Sequence, residues 1–309
     1  MSALHRYAVL VACCTLLLIL AGGMVTSTAS GLSVPDWPTT YGQNMFTFPY
    51  RSWVGGIFYE HGHRLIASTV GVLTIGLAVW LWLRDPRRWM KYLGVAGLGT
   101  VILQGVLGGI TVLYLLPAPV SVGHAGLAQI FFCIAASVAL FTSQGWLSPS
   151  VTPVDDARLR TVSLMTPVVV YVQILLGAAM RHTNAGLAIP DFPLAFGHLI
   201  PPAWTPAIAV HFAHRVWAVV TVLSVFATAG HVWYRHPGQP ELRRPATLLA
   251  VLVLLQFTLG AFVVLTGKQV YVNTAHVGIG ALVLATSLVL ALRAHRLRFR
   301  GFALEPLAP

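Results

Sequence analysis

Four histidines and one glutamate lie inside long apolar segments, where ionisable side chains are costly and usually mark function. The histidines are His63, His124, His214 and His276, and the glutamate is Glu60. Imidazoles from two different helices are the ligands with which a helix bundle holds a haem iron on both faces. Two histidines per half of the chain suit that ligation better than a structural zinc site, which requires four nitrogen or sulfur ligands. The sequence therefore predicts one iron-porphyrin site in each half.

The chain is an internal duplication, which is the feature that pairs these residues. The stretch from Gly31 to Pro38 recurs from Gly186 to Pro193, at an offset of 155. Three further pairs recur in the same order at offsets of 151 or 152: His63 and His214, Gln104 and Gln256, His124 and His276. A buried histidine can simply hydrogen-bond between helices. Duplication in register makes that the weaker interpretation here.

Glu60 distinguishes the two halves. It lies three residues before His63, hence on the same helix face, whereas the corresponding residue of the second half is His211. A carboxylate beside one iron site and absent from the other suggests proton-linked chemistry at the first site only. The alternative is that Glu60 merely orients a neighbouring histidine or arginine.

Arg64 and Arg215 directly follow two of the candidate ligands. A guanidinium in an apolar segment requires a partner, and haem propionates are suitable anions. The sequence thus predicts both arginines as cofactor-binding residues, with a structural ion pair or a snorkelled side chain as the alternative. Small residues near the histidines are expected to leave room for a flat macrocycle; they are Gly62, Gly123, Gly126, Ala213, Gly278 and Gly280.

Composition identifies a membrane protein, because 57% of the 309 residues are hydrophobic and only 9% are charged. The formal net charge is +11. No nucleic-acid partner is expected, because the basic residues form short clusters between apolar runs. Eight runs are long enough to cross a bilayer; they lie near 7–27, 55–83, 92–114, 120–142, 162–181, 204–234, 247–266 and 274–293.

The predicted fold is an all-α integral membrane protein whose eight transmembrane helices form two tandem four-helix bundles. Because each half has an even number of spans, both have the same topology and a pseudo-twofold axis would run along the membrane normal. We predict an N-terminal half at 1–146, a cytoplasmic linker at 147–161 and a C-terminal half at 162–309.

The distribution of basic residues predicts the orientation. Lysines and arginines concentrate in the loops on one side and in the two termini, which places both termini in the cytoplasm of a multi-pass cell-membrane protein. The two long outer loops, 28–53 and 182–203, carry proline and aromatic residues instead of charge. They are expected either to anchor at the membrane interface or to cover a site.

The sequence resembles the haem A synthases over essentially its whole length. The resemblance rests on five features: Glu60-His-Gly-His63-Arg64, His124, His211-Phe-Ala-His214-Arg215, His276 and the Pro-Asp-Trp-Pro loop ending at Pro38. Each pattern is weak alone. Their order on a duplicated eight-span scaffold is specific.

The resemblance implies an enzyme that oxidises the C8 methyl group of haem O to a formyl group, giving haem A for cytochrome oxidase. It implies two successive hydroxylations followed by loss of water. His214 and His276 would be the axial ligands of a permanent haem b. The N-terminal half would hold the substrate haem, with His63 and His124 near its iron and Glu60 required for turnover.

The chain departs from many bacterial members of that family, which carry a cysteine pair in the first outer loop. Its three cysteines, Cys13, Cys14 and Cys133, all lie in apolar runs. A thiol step in that loop is therefore not expected here.

Two other functions remain open at this point. A di-haem b-type cytochrome that exchanges electrons with quinol would also use four histidines, but would leave Glu60 without a task. A transporter built from parallel repeats would place its polar residues at the membrane midplane. The expected partners are haem O, membrane lipid and an electron donor that the sequence does not identify. Haem O synthase and a second copy of the chain are further candidates.

Overall fold

Ten helices make up most of the computed structural model, which describes residues 2–148 and 154–300. They are α1 (Ala3–Ser27), α2 (Gly56–Arg84), α3 (Arg88–Leu113), α4 (Ala118–Phe141), α5 (Gln144–Leu147), α6 (Ala157–His182), α7 (Pro206–Arg235), α8 (Pro240–Leu265), α9 (Val270–Ala294) and α10 (Arg296–Arg300). All except α5 and α10 are long and apolar enough to cross a membrane. Within the described residues there is no β-strand. The predicted all-helical class with eight spans is confirmed.

Several helices begin a turn or more before the apolar run that predicts them. Helix α6 begins at Ala157 instead of 162, because the Asp156 side chain accepts the N–H of Leu159 at 2.8 Å and caps the helix. Helix α8 begins at Pro240, which suits a first turn because proline has no N–H to satisfy. Hydropathy detects only the segment in lipid. The predicted linker 147–161 thus includes the first turn of α6, and its residues 149–153 lie outside the described residues, as do 301–309.

Each set of four long helices packs as a ring. Helix α1 contacts α2, α2 contacts α3, α3 contacts α4 and α4 returns to α1; helices α6 to α9 repeat these contacts. The rings meet through α1 and α4 on one side and α6 and α9 on the other. A small apolar cluster lies there, formed by Ile19, Phe132, Ala281 and Ala285. The twofold axis and the functional division of the halves stay predictions.

A polar cluster joins the rings near the ends of α1 and α6. Arg181 Nη2 donates to the backbone oxygen of Gly23 at 3.1 Å and to Ser27 Oγ at 2.7 Å. Thr274 of α9 also donates to Ser27 Oγ, at 3.1 Å. Because a buried guanidinium without acceptors would be destabilising, these bonds fix α6 and α9 against the last turn of α1.

The two outer loops share one architecture, 155 residues apart. In the first, Asp36 accepts the N–H groups of Tyr41 and Gly42, each at 2.8 Å. In the second, Asp191 accepts those of Phe196 and Gly197 at 2.7 and 2.8 Å. Each loop also contains one isolated β-bridge, Thr40 with Gln43 and Ala195 with His198. The aspartates therefore organise their loops, as their place beside turn-forming prolines indicates.

Asp36 provides a test of this loop architecture. Burial opposes ionisation, yet hydrogen bonds from Gly42, Thr39 and Tyr41 hold the pKa of this carboxyl below its ordinary value. We expect Asp36→Asn to lower the free energy of unfolding by about 1 kcal/mol at neutral pH, because one acceptor becomes a donor. Since the folded pKa is the lower one, the difference from wild type should shrink as the pH falls below about 4.

Thermal unfolding in detergent at several pH values measures this difference. Asp155→Asn is the control, because the Asp155 side chain is 79% exposed and its pairing with Arg160 should contribute little. Equal thermal midpoints for Asp36→Asn and wild type at neutral pH would show that the carboxylate does not hold the loop.

Candidate functional site

Each of the four predicted ligand histidines lies with its ring against a glycine of a neighbouring helix. The pairs are Gly22 with His63, Gly108 with His124, Gly177 with His214 and Gly260 with His276. A methyl group added to these glycines would lie 2.9–3.2 Å from Cε1 of the ring, closer than ordinary van der Waals contact. The absent side chains therefore create the space that the imidazoles fill.

These glycines differ from those chosen from the sequence. Gly126 instead faces Tyr171 and Leu175 of α6, and Gly278 faces Leu20 of α1, so both serve the contact between the rings of helices. The sequence prediction chose small residues close to each histidine in the chain, which lie on the same helix as the histidine. The glycines that make room for the imidazole lie on the neighbouring helix.

The histidines are brought together as one pair in each half. His63 of α2 lies near His124 of α4, and His214 of α7 lies near His276 of α9. The partner helices lie in the same four-helix ring, so each ring presents imidazoles from two helices towards one region. That each pair binds one iron stays a prediction.

Glutamine side chains contact three of the four histidines. Gln104 Nε2 lies 3.0 Å from the backbone oxygen of His124 and 3.2 Å from its Nε2. Gln173 Nε2 lies 3.1 Å and 3.4 Å from the same two atoms of His214. Gln256 Nε2 lies 3.3 Å from His276 Nε2. Gln104 and Gln256 therefore bridge neighbouring helices.

Sequence reasoning missed Gln173. The only signal available was its position 155 residues after Leu18, which places Gln173 on α6 where α1 carries Leu18. Because leucine offers no amide, His63 is the predicted ligand without such a partner. The duplication is thus unequal at His63 itself as well as at Glu60.

The glutamine contacts indicate the protonation of the rings. An amide nitrogen can only donate, so the Nε2 atom it meets acts as an acceptor and the ring proton lies on Nδ1. In each of the four histidines the buried Nδ1 atom has no hydrogen-bond partner. A neutral ring with a lone pair on Nε2 is the form that binds a metal ion.

The guanidinium of Arg64 holds the first outer loop onto α2. Its Nη1 donates to the backbone oxygens of Asp36 at 2.7 Å and Thr39 at 3.0 Å, and its Nη2 donates to that of Val34 at 2.8 Å. Nη2 also forms an ion pair with Glu60 Oε1 at 2.7 Å. Of the three interpretations of Arg64 that the sequence leaves open, these contacts match the structural ion pair.

Arg215 holds the second loop in the equivalent way. It donates to the backbone oxygens of Leu194, Ile189 and Asp191, at 2.8, 3.0 and 2.7 Å. Each of these residues lies 155 positions after its counterpart at Arg64. Its Nε donates to His211 Nε2 at 3.1 Å. Because these loop residues lie 21 to 30 positions from their arginine, no local motif could reveal the contacts.

Glu60 and His211 occupy the same place in the two halves. Glu60 is 3% exposed, and its Oε2 accepts the N–H of Val34 at 2.8 Å. His211 is 2% exposed, and its Nδ1 lies 3.2 Å from the backbone nitrogen of Ile189. Each therefore joins the arginine of its own helix to the loop above it. The difference is charge, because only Glu60 can balance its arginine.

His61 is fully buried beneath the first loop. Its Nδ1 lies 3.0 Å from Thr40 Oγ1, and its ring packs against Trp53 at a centroid distance of 4.7 Å. His61 therefore faces the loop.

Eight membrane-spanning helices that present two histidine pairs from duplicated helices have the layout of a membrane-bound haem protein. Comparison with known families identifies the chain more closely. The chain belongs to the COX15-CtaA family of cytochrome oxidase assembly proteins, whose model matches residues 5–54 and 45–288.

Named relatives cover most of the chain. It is 32% identical to a haem A synthase of Symbiobacterium thermophilum over 274 residues, which span 85% of this chain and 86% of the relative. It is 30% identical to a haem A synthase of Geobacillus kaustophilus, over 91% and 89% of the two chains. It is 32% identical to a haem A synthase of Rhodospirillum centenum, over 90% and 83%.

The described residues fit an iron-porphyrin ligand set. Neutral imidazoles backed by glycine offer their Nε2 lone pairs, and His214 and His276 could hold a haem b iron from two helices. Gln104 and Gln173 also donate to the histidine backbone, so these amides keep their place when a metal takes the ring nitrogen. The fit rests on the donor atoms and their surroundings.

Replacing Gly177 tests whether the glycine beside the His214 imidazole is required for haem binding. A methyl group there would lie 2.9 Å from His214 Cε1, so Gly177→Ala must displace the imidazole. We expect a several-fold lower haem content in the purified protein, measured as the pyridine haemochrome per polypeptide. Gly230→Ala on α7 is the matched control, because a methyl group at Gly230 meets no atom within 4 Å. Unchanged haem content in Gly177→Ala would contradict the proposed position of the ring.

Proposed function

We propose that the chain is a haem A synthase, which oxidises the C8 methyl group of haem O to a formyl group and supplies haem A for cytochrome oxidase. Family membership and the named relatives support this activity over a di-haem cytochrome that exchanges electrons with quinol. The observation that carries the proposal is the unequal duplication: two histidine pairs share one geometry, but a carboxylate accompanies only the first.

The C-terminal half, in this proposal, holds a permanent haem b through His214 and His276. When bound, this haem would supply one-electron transfer. The local charges favour lasting retention there, because Arg215 pairs with the neutral ring of His211 and keeps its positive charge. A net positive site attracts the anionic propionates of a haem. Arg215 is thus still proposed as a cofactor-binding residue, because its positive charge attracts the propionates.

The N-terminal half would bind haem O, with His63 and His124 near the substrate iron. There Arg64 is neutralised by Glu60, so the site attracts propionates less strongly than its counterpart. His63 also lacks the glutamine that accompanies the other three histidines. Both features favour a site that releases its haem after turnover, as an enzyme must for its substrate and product.

Glu60 is proposed to act by its charge and its position. Its two carboxylate oxygens accept hydrogen bonds from Arg64 and Val34, which fixes the group on the helix face that also carries His63. Positive charge that develops on the substrate during methyl oxidation would be stabilised by this carboxylate. Oε1 and Oε2 are also the atoms that could accept a proton released in the same half.

The first outer loop closes the site towards the outer side. Arg64 bonds three of its backbone carbonyls, and Thr40 and Trp53 cover His61, so the loop is fixed to α2 at several points. Water would thereby be kept from the reacting methyl group. The loop is thus proposed to cover the site, one of the two roles expected from its composition.

The cellular setting proposed is the cell membrane with both termini in the cytoplasm, as the distribution of basic residues predicts. Haem O carries an apolar tail, so entry from the lipid phase suits the substrate. The reaction also requires an electron donor. Haem O synthase and a second copy of the chain are partners to be tested with it.

Replacing Glu60 tests the catalytic proposal. Glu60→Gln retains an acceptor for the N–H of Val34 but removes the negative charge, so we expect at least a tenfold loss of haem A formation. Haem extracted from cells that also make haem O, separated by chromatography, measures the formyl product. The haem b spectrum should be unchanged, which separates this effect from unfolding. Glu241→Gln, in the first turn of α8 at the far end of the bundle, is the matched carboxylate control. Full haem A formation by Glu60→Gln would exclude the proposed role.

A further inference from the structure

Three metal-binding side chains converge at the end of the second half that lies opposite the predicted haem ligands. His231 Nε2 and His236 Nε2 each lie 2.8 Å from Asp156 Oδ2. One ligand atom from each residue lies within 4.8 Å of the other two. Asp156 directly precedes α6, His231 lies in the last turns of α7, and His236 directly follows α7.

The backbone fixes the direction of these side chains. Asp156 caps α6, and its Oδ1 accepts the N–H of Leu159 at 2.8 Å, which leaves Oδ2 to face the histidines. The N–H of His236 continues the helical pattern by donating to Val232 at 2.9 Å. Carboxylates that bind a metal ion are commonly held in position by a further hydrogen bond of this kind.

The chemistry of the three donors suits a borderline metal ion. Two imidazoles and one carboxylate are ligands of zinc and of neighbouring divalent transition metals. Burial opposes ionisation of Asp156, but hydrogen bonds from His231, Leu159 and His236 hold the pKa of this carboxyl well below its ordinary value. The three side chains are 12–17% exposed, which admits an ion and a coordinating water.

Two of the three distances between the ligand atoms require only a small adjustment. Ligand atoms around a tetrahedral zinc ion lie roughly 3.3 Å apart, given bonds of about 2.0 Å. The two observed contacts of 2.8 Å would have to widen by about half an ångström. Asp156 and His236 lie at helix caps, where side chains adjust more freely than inside a helix.

The first half closes the same corner without histidine. Helix α2 ends at Asp85, whose two oxygens accept bonds from Arg87 Nε at 2.9 Å and Nη2 at 2.7 Å. An arginine there satisfies the carboxylate completely. The second half has two imidazoles there instead, which can bind a metal, so the cluster is a local divergence between the repeats.

We propose that Asp156, His231 and His236 form a binding site for one divalent transition-metal ion of the zinc class, with water completing its coordination. The ion would tie the start of α6 to the end of α7. It is independent of the haem sites, which lie at the other end of these helices.

Zinc binding by the purified protein tests this proposal. Haem-loaded protein in detergent is stripped with a chelator, dialysed against zinc chloride and analysed by mass spectrometry for zinc and iron. We expect wild type to retain one more zinc ion per chain than His231→Gln or His236→Gln, and its thermal midpoint to rise with zinc. The glutamine amide can still donate to Asp156, so the helix caps persist in both variants.

His295→Gln is the control, because His295 lies at the same end of the bundle and its Nδ1 lies 2.8 Å from the backbone oxygen of Ala291. An unchanged haem spectrum verifies that each variant is folded. Comparison of wild type with either His231→Gln or His236→Gln is sufficient for the test. Equal zinc content in wild type and a folded variant would overturn the proposal and leave the cluster as a hydrogen-bonded helix clamp.

Discussion

Polar atoms buried in a membrane bundle must be paired within the protein, and this constraint organises the molecule. The guanidinium groups of Arg64, Arg181 and Arg215 meet it through backbone oxygens and polar side chains at fixed positions. The four predicted ligand histidines do so only in part, because their Nδ1 atoms lie buried without a partner. Glycines on neighbouring helices keep these rings in place. These imidazoles, two in each half, are the basis for every functional conclusion.

The duplication shows which features the scaffold requires and which belong to one site. Both halves keep the arginine that binds three loop carbonyls, the aspartate that organises the loop and the glycine behind each ring. They differ at the residue beside that arginine, where Glu60 corresponds to His211. They differ again where Leu18 corresponds to Gln173. Both differences favour weaker retention of a haem at the first site. Glu60 lowers the net positive charge there, and Leu18 leaves His63 less constrained.

Much of this molecule could be predicted from its sequence, because apolar length and repeat spacing are strong signals. The eight spans follow from them, as does the expectation that the histidines form one pair in each half. Helix starts could not be predicted from hydropathy, since caps such as Asp156 extend a helix beyond the lipid. The contacts of Arg64 and the glycines behind the rings depend on which helices become neighbours. The cluster of Asp156 with His231 and His236 joins residues 75 and 80 positions apart.

The central claim is that imidazoles from two helices of the same four-helix ring bind one haem iron. Low-temperature electron paramagnetic resonance of the oxidised, purified protein tests it most directly. The account predicts a low-spin ferric signal of bis-imidazole type that is lost when either His214 or His276 is replaced by alanine, and that persists in His63→Ala. A signal that survives both replacements in the C-terminal half, or a protein that contains no haem, would contradict it.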